Sequence, residues 1–402
     1  MKKVLLRGPV LTRSGYGEHA RFVLEALLKN PDFDVYVVPL NWGQSNWLFE
    51  DSEKRTEIDN LIQKTATTNE SFDLSIQVTI PNEWEKIAPI NIGVCAGIET
   101  DKVSMAWIKK ANDMDRVIVV SEHAKSGFTK TKYSFGTAKD IIFKCETPVD
   151  VVHYGVKNLE TTKIDLGLEH DFNFLTVAQL GHRKNLINTL KWFVEEFREE
   201  EVGLVIKAHW MNNSLIDRRR LVDTLKNVLE GTEDRKCSVH LVHGNMTDEE
   251  IHSLYVHPKI KAYITATHGE GFGLPIFEAA YSGLPVVAPS WSGQVDFLSA
   301  PVKNEKSGKV RKTALYEKVA YELATPEPEA LWKDVIENDS KWCYPKENKF
   351  KAAIRNVYQG YNLRLKNAKT LQKHLVDNFK YEEKLTQMCE LITETEETNE
   401  II

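Results

Sequence analysis

The stretch that decides the fold is Glu270-Gly271-Phe272-Gly273-Leu274-Pro275-Ile276-Phe277-Glu278-Ala279. An apolar run ends near Ala266, and the glycines then predict a loop that leads into a helix beginning at Pro275, where a missing N–H does no harm. Helix starts suit phosphate groups, and glycine lets the backbone approach a ligand closely. The carboxylates of Glu270 and Glu278 can accept hydrogen bonds from the hydroxyls of a sugar or a ribose. The pattern therefore predicts a site that holds both ends of a nucleotide-sugar.

Around this stretch, short apolar runs alternate with amphipathic segments, which is typical of a parallel sheet covered by helices. The expected strands of this half are 172–178, 202–208, 238–242, 262–266 and 285–288. The expected helices are 186–197, 216–229, 248–255 and 275–282. From about residue 314 we expect mostly helix.

The first half of the chain has the same alternation, with expected strands at 4–6, 35–38, 74–78, 91–94, 117–120 and 151–156. The fold class is therefore α/β, with two Rossmann-like domains facing a cleft, and ligands are expected at the carboxyl ends of the strands. We predict an N-terminal acceptor domain over 1–157 and a C-terminal donor domain over 158–345. Residues 346–402 are expected to be helices that cross back to the N-terminal domain.

Composition places the chain among ordinary globular proteins. Of its 402 residues, 42% are hydrophobic and 27% are charged, which excludes a largely disordered chain. The net charge of −6 argues against a dedicated nucleic-acid coat. No apolar run is long enough to span a membrane, and the five cysteines include no Cys-x-x-Cys pair, so we expect a cytoplasmic protein.

The motif resembles the Glu-x7-Glu signature of retaining GT-B glycosyltransferases, notably the glycosyltransferase 4 family. The resemblance extends to other segments in the family's order: 115–121 (DRVIVVS), 151–156 (VVHYGV), 177–190 (VAQLGHRKNLINTL), 239–255, and 285–288 followed by Gly293. It covers roughly residues 1–300. It implies transfer of a sugar from a nucleotide-diphospho-sugar to a hydroxyl acceptor with retention of configuration. We take UDP-glucose as the default donor because it is a common donor, and not because of any residue in the sequence.

The resemblance also implies roles for individual residues. Glu270, Arg183 and Lys184 would be catalytic, with the two cations neutralising the diphosphate. Glu278 would hold the ribose, and the backbone of Gly271, Phe272, Gly273 and Leu274 would support the sugar and the phosphate. The loop with Gly15 and Gly17 would close over the phosphate. The family usually needs no metal and no cofactor, so none is expected here.

Three departures from the family pattern leave roles open. Gln179 stands where the family has an Arg about five residues before the Lys, so Lys207 is a candidate to assist with the donor. The first glycine loop reads Gly-Tyr-Gly, which makes Tyr16 a candidate on the acceptor side. Glu99, in a segment where many members carry a His, and His268, two residues before Glu270, are the other acceptor candidates.

A basic segment between His123 and Lys144 allows a further partner. It holds Lys125, Lys130, Lys132, Lys139 and Lys144 against Asp140, with aromatic residues between them. A solvated face is the simple interpretation, and DNA or an anionic membrane surface are the alternatives.

Three other functions stay open: a glycosyltransferase acting on modified DNA bases, an epimerase-like or hydrolytic GT-B protein, and a non-catalytic sugar-nucleotide-binding protein.

Overall fold

The computed structural model describes residues 1–48, 52–135, 141–303 and 307–400. The chain divides into two compact units. The first unit comprises residues 1–155, 326–340 and 381–400, and the second comprises 156–325 and 341–380. The first boundary, at Gly155, lies two residues before the predicted one. The chain therefore returns to the first unit twice after leaving it.

The first unit is built on a parallel six-stranded sheet in the order β2-β1-β3-β4-β5-β8. Its strands are β1 (Lys2–Gly8), β2 (Phe33–Pro39), β3 (Leu74–Val78), β4 (Ile90–Cys95), β5 (Arg116–Val119) and β8 (Val149–Val151), and β6 (Lys132–Phe135) and β7 (Ile141–Lys144) form a separate hairpin. Its helices are α1 (Gly15–Leu28), α2 (Glu53–Thr67), α3 (Met105–Ala111), α4 (Glu122–Lys130) and α11 (Tyr381–Glu400), with short 3-10 helices at Pro81–Glu83 and Pro328–Ala330.

The second unit repeats this plan with the order β11-β10-β9-β12-β13-β16, again all parallel. Its strands are β9 (Asn173–Gln179), β10 (Gly203–His209), β11 (Ser238–Val242), β12 (Ile260–Ile264), β13 (Val286–Pro289) and β16 (Glu317–Val319). Two antiparallel pairs accompany them: β14 (Ser299–Lys303) with β15 (Val310–Ala314), and β17 (Tyr321–Ala324) with β18 (Trp342–Pro345). The helices are α5 (Leu186–Phe197), α6 (Leu215–Leu229), α7 (Asp248–Tyr255), α8 (Leu274–Tyr281), α9 (Glu347–Gln359) and α10 (Tyr361–Asn378), with a 3-10 helix at Gly293–Asp296.

Two expectations about local structure are wrong. The strand expected at 151–156 lies earlier, at Val149–Val151. The mostly helical region expected from residue 314 first holds three strands and a 3-10 helix, and its α-helices begin only at Glu347. The strands there are three or four residues long, which is too short for an alternating pattern to stand out.

Each unit has its own apolar core. In the first, Leu385, Met388 and Ile392 of α11 are buried together with residues of α1 and of the sheet. In the second, Phe350 and Ile354 of α9 join the residues that β9, β10 and α5 contribute. The last helices of the chain therefore complete two different cores, α9 in the second unit and α11 in the first.

The topology of the second unit decides where its polar loops meet. Strands β9 and β12 are direct neighbours and parallel, although 80 residues lie between them in the chain. The loops that follow them therefore lie side by side at the carboxyl edge of the sheet. One loop carries Arg183 and Lys184, and the other carries the glycine motif.

Candidate functional site

The glycine loop ends in a left-handed turn that starts α8. Gly273 is the N-cap residue with φ +94°, a conformation that L side chains rarely adopt. A Cβ at this position would stand 3.4 Å from Cβ and Cγ of Glu270. Pro275 is the second residue of α8, one position later than predicted. The loop therefore folds back closely on Glu270 before the helix begins.

Glu270 is buried, only 6% exposed, and is held by two cations from the neighbouring loop. Lys184 Nζ donates to Oε1 at 2.8 Å and to Oε2 at 2.7 Å. Arg183 Nη1 donates to Oε2 at 3.0 Å and to the carbonyl oxygen of Gly269 at 2.8 Å. The fully buried Thr267 adds a hydroxyl donor to Oε1 at 3.0 Å. The structure thus brings the three predicted catalytic residues into one ion cluster.

The electrostatics of this cluster fix the charge of Glu270. Burial raises the pKa of its carboxyl, but the charges of Lys184 and Arg183 and their hydrogen bonds outweigh burial and lower the pKa to about 2. Glu270 is therefore an anion at neutral pH and has no proton to donate. Its chemical capacity is to accept hydrogen bonds and to stabilise positive charge.

Two hydrogen bonds to backbone carbonyls hold the two loops together next to the ion cluster. The N–H of His268 donates to the carbonyl oxygen of Arg183 at 2.8 Å, and Asn185 Nδ2 donates to that of Ala266 at 2.9 Å. Asn185 is itself left-handed, with φ 50°, and begins α5 without a side-chain cap. Hydrogen bonds to the neighbouring loop therefore fix the turn that positions Arg183 and Lys184.

Ser292 and Gly293 support Glu270 from the other side, and the sequence analysis assigned them no role. The N–H of Glu270 donates to Ser292 Oγ at 2.8 Å, and the N–H of Gly293 donates to the carbonyl oxygen of Glu270 at 2.9 Å. Gly293 packs so tightly that an added Cβ would lie 2.0 Å from the carbonyl oxygen of Gly271. In the sequence, Gly293 stood out only as the glycine that follows 285–288 in the family's order, and Ser292 was not singled out.

Glu278 lies on α8, where its Oε2 accepts a hydrogen bond from the hydroxyl of Tyr255 at 2.9 Å. Burial and then the charge of Glu278 raise the pKa of Tyr255 well above its ordinary value. Tyr255, at the end of α7, is therefore a permanent donor that orients Glu278. Its position in the segment 239–255 was visible in the sequence, but its role was not.

Lys207 and His268 are both buried in the second unit and hold backbone carbonyls. Lys207 Nζ donates to the carbonyl oxygen of Gly244 in the loop after β11, at 2.5 Å. His268 Nδ1 lies 2.6 Å from the carbonyl oxygen of Cys343, and its ring stacks on Trp342 with centroids 4.9 Å apart. These contacts give both residues a structural role, and their proposed contacts with substrate stay predictions.

The glycine loop of the first unit begins α1. Gly15 is exposed with open space around its Cβ position, whereas a Cβ at Gly17 would lie 2.0 Å from the carbonyl oxygen of Thr12. The Tyr16 ring stacks on Trp42 at 4.1 Å, and its hydroxyl accepts a bond from the N–H of Ala96 at 3.3 Å. Glu99 is half-buried three residues further on. Tyr16 and the Glu99 loop thus lie together within this unit.

The basic segment lies on α4 and on the hairpin of β6 and β7. Lys125 and Lys130 are on α4, and Lys132 and Lys144 stand directly opposite each other in the hairpin. Lys130, Lys132 and Lys144 are exposed, as are Phe135 (42%) and Ile142 (55%) nearby. Lys139 and Asp140 lie outside the described residues.

The described residues contain neither a cluster of metal ligands nor a candidate membrane-spanning helix. No three His, Cys, Asp or Glu side chains in those residues converge as ligands for a metal ion. No helix of the same residues is long and apolar enough to cross a bilayer. The expectations about metals and cellular location stay predictions.

Comparisons with known proteins support the fold described above. Residues 234–388 match the family described as "Family 4 Glycosyltransferase in conflict systems". HepE from Anabaena, solved with UDP and glucose, superimposes with a TM-score of 0.63 at 15% identity over 98% of this chain and 100% of that one. The chain has the GT-B fold, and its residues 234–388 resemble family 4 glycosyltransferases. This confirms the predicted fold class.

Two more proteins extend the comparison. Sucrose-phosphate synthase from Thermosynechococcus elongatus gives a TM-score of 0.61 at 13% identity, covering 98% of this chain and 99% of its own. Among curated proteins, the serotype-specific mannosyltransferase WbdA of Escherichia coli is 33% identical over 118 residues. That match spans 29% of this chain and 13% of WbdA.

Proposed function

We propose that the chain transfers a sugar from a nucleoside-diphospho-sugar to a hydroxyl group of an acceptor, with retention of anomeric configuration. The observation that carries the proposal is the buried cluster of Glu270, Lys184 and Arg183 beside the glycine loop that begins α8. Three groups meet at the carboxyl edge of one parallel sheet. The carboxylate can bind sugar hydroxyls, and the two cations and the start of the helix can bind a diphosphate.

The charges suggest how the reaction would proceed. The bond between the anomeric carbon and the phosphate oxygen breaks, a bond from the acceptor oxygen to the same carbon forms, and the acceptor proton passes to the leaving phosphate. Lys184 and Arg183 stabilise the negative charge that grows on the diphosphate. Glu270 stays anionic and stabilises the positive charge that grows on the sugar. Catalysis is then chiefly electrostatic, from groups already in place.

For the donor we propose UDP-glucose, with a GDP-linked mannose as the competing candidate. HepE is described in complex with UDP-glucose, which supports the uridine nucleotide, whereas WbdA is a mannosyltransferase. Glu278, oriented by Tyr255, is the group we expect to bind the ribose hydroxyls. The acceptor is a hydroxyl compound whose class we leave to experiment.

A thermal-shift panel followed by product analysis tests the proposal. A ligand that binds only the native protein raises its melting temperature by mass action. We expect a shift with UDP and UDP-glucose that is smaller in Glu278→Ala, and an axial glycoside when a hydroxyl acceptor is added. Sugar release without acceptor incorporation would favour the hydrolase alternative, and no shift with any nucleotide would overturn the proposal.

A further inference from the structure

The exposed side of α10 carries three lysines between two apolar residues. Leu363, Lys366, Lys369, Lys373 and Val376 are all exposed, at the spacing of one helix face, and we refer to them as the α10 face. The opposite side of the helix is buried through Ala368, Leu371 and Leu375. Leu363 is 57% exposed and Val376 47%, so the apolar ends of this face are open to solvent.

The β14–β15 hairpin continues the positive charge of the α10 face. Its register places Lys303 opposite Val310 and Lys312 opposite Pro301, so these four residues share one side of the hairpin. All four are exposed, and Val310 is 60% exposed. Strand β14 contacts α10. The charge of Lys312 also acts on His374 of α10, where it adds to burial in lowering the pKa of that imidazole. The hairpin and the α10 face are therefore parts of one surface.

These cations form what we call the basic surface: Lys303, Lys312, Lys366, Lys369 and Lys373. Among the residues that the structure describes, none of the five has a carboxylate within ion-pair distance. Some lysines elsewhere on the same unit are paired, as Lys346 is with Glu322 and Lys351 with Glu347. Among the described residues nearby, Asp377 follows the α10 face, and Glu317 is bound to Arg364. Such a cluster on a chain of net charge −6 is complementary to an anionic partner.

We propose that the basic surface docks the protein on an anionic lipid membrane. All five of its cations are lysines, whose long stems let the ammonium groups reach lipid headgroups while the stems lie along apolar chains. Leu363, Val376 and Val310 are placed to enter the headgroup boundary, as in helices that lie in a membrane surface. The exposed residues of α10 and of the described part of the hairpin include no aromatic side chain to stack on bases, which disfavours single-stranded nucleic acid.

The proposal does not depend on the donor site. Its residues lie on β14, β15 and α10, outside the cluster around Glu270, and binding to lipid can be measured without turnover. Docking would hold the enzyme against lipid-linked or membrane-bound hydroxyl compounds, which adds a location to the proposed activity without changing its chemistry.

Vesicle sedimentation tests the proposal with a matched pair of variants. The face variant carries Lys366→Gln, Lys369→Gln and Lys373→Gln. The control variant carries Lys226→Gln, Lys236→Gln and Lys349→Gln, three exposed lysines elsewhere on the second unit. Both lose the same net charge. We expect binding to vesicles of phosphatidylglycerol and phosphatidylcholine, none to phosphatidylcholine alone, and a partition coefficient lower by on the order of 100-fold in the face variant only.

A second pair separates a lipid surface from a soluble polyanion. Leu363→Ser with Val376→Ser should weaken binding to the anionic vesicles and leave binding to heparin unchanged. Equal loss in the face and control variants would overturn the proposal, as would failure of the unaltered chain to bind anionic vesicles. Duplex DNA binding that the face variant loses, together with vesicle binding that the serine variant keeps, would assign the surface to nucleic acid. An unchanged nucleotide thermal shift in every variant shows that the donor site is intact.

Discussion

Lys184 donates from its Nζ to both carboxylate oxygens of Glu270, at 2.8 and 2.7 Å. The cation expected to hold a diphosphate is thus already bound to the carboxylate expected to hold the sugar. A diphosphate that enters this site must share or replace that partner. The relationship gives Glu270 two effects of opposite sign, one on nucleotide binding and one on turnover.

Glu270→Gln should separate these two effects. Without the carboxylate charge, Lys184 and Arg183 become fully available to phosphate, so UDP should bind as tightly as before or more tightly. Turnover should fall by about 100-fold or more, because a charge placed for the transition state is lost. Calorimetry with UDP and steady-state rates measure the two effects. The exposed Glu230→Gln is the control, and a Glu270→Gln enzyme with ordinary turnover would remove Glu270 from the mechanism.

Glu278→Ala should weaken nucleotide binding through the ribose. Hydrogen bonds to a charged group contribute about 1.5–3 kcal/mol each, so the Kd for UDP should rise by at least about tenfold. The unaltered chain should prefer UDP to 2′-deoxy-UDP, and Glu278→Ala should lose that preference. Tyr255→Phe should show a smaller effect of the same kind, since its hydroxyl only orients Glu278. A preference for UDP that survives in Glu278→Ala would place the ribose elsewhere.

Acid stability should depend on Glu270 over a defined range. Its pKa in the folded chain is lowered to about 2 from an ordinary 4.5, so its contribution to the free energy of unfolding is complete above pH 4.5. That contribution is lost as the pH falls from 4.5 towards 2. As the pH falls across this range, the urea concentration at the unfolding midpoint should therefore decrease more steeply for the unaltered chain than for Glu270→Gln. Parallel curves for the two proteins would show that the ion cluster does not form in solution.

Gly293→Ala should damage the fold around the site, whereas Gly181→Ala should not. A Cβ at Gly293 would lie 2.0 Å from the carbonyl oxygen of Gly271, but at Gly181 no atom lies within 4 Å. We expect Gly293→Ala to lower the free energy of unfolding by about 2 kcal/mol or more and to reduce nucleotide binding. Gly181 is in the loop of Arg183, so it is a close control. Equal stability of the two variants would contradict the packing of Ser292 and Gly293 against the glycine loop.

Gly15→Ala and Gly17→Ala test the loop of the first unit in the same way. Gly17→Ala should lower the melting temperature because its Cβ would meet the carbonyl oxygen of Thr12. Gly15→Ala has open space and should leave the melting temperature unchanged. A reduced transfer rate in Gly15→Ala, with normal stability, would support close approach of this backbone to a ligand. A normal rate there would leave the loop with a purely structural role.

Periodicity predicted most of the framework because the buried parallel strands and amphipathic helices are long. Helices α5 and α7 have the predicted bounds, and the six strands of each sheet were largely anticipated. The return of Pro326–Ser340 to the first unit was missed, since nothing in its composition distinguishes it from a loop of the second. Which core a short segment joins depends on tertiary contacts that the local sequence does not encode.

The site shows the same division between what sequence reveals and what it does not. The motif pointed to Glu270, Glu278, Arg183 and Lys184, but the direct pairing of Lys184 with Glu270 follows from β9 lying beside β12. Sequence order alone does not give that adjacency. Thr267, Tyr255 and Ser292 were missed because the role of a hydroxyl group becomes recognisable only when its hydrogen-bond partner is known. The functional roles of all these residues stay predictions until the variants are measured.

The path of the chain has a consequence for how the protein forms during synthesis. The ribosome completes the second unit's sequence, through Lys380, before it releases α11, whose Leu385, Met388 and Ile392 fill the first unit's core. The first unit, most of which is synthesised first, is thus the last to complete its core. In a nascent chain stalled before α11, the first unit lacks these three apolar side chains, whereas the second unit already has all its residues. A chaperone that recognises exposed apolar surface would therefore bind the older part of the chain at that stage.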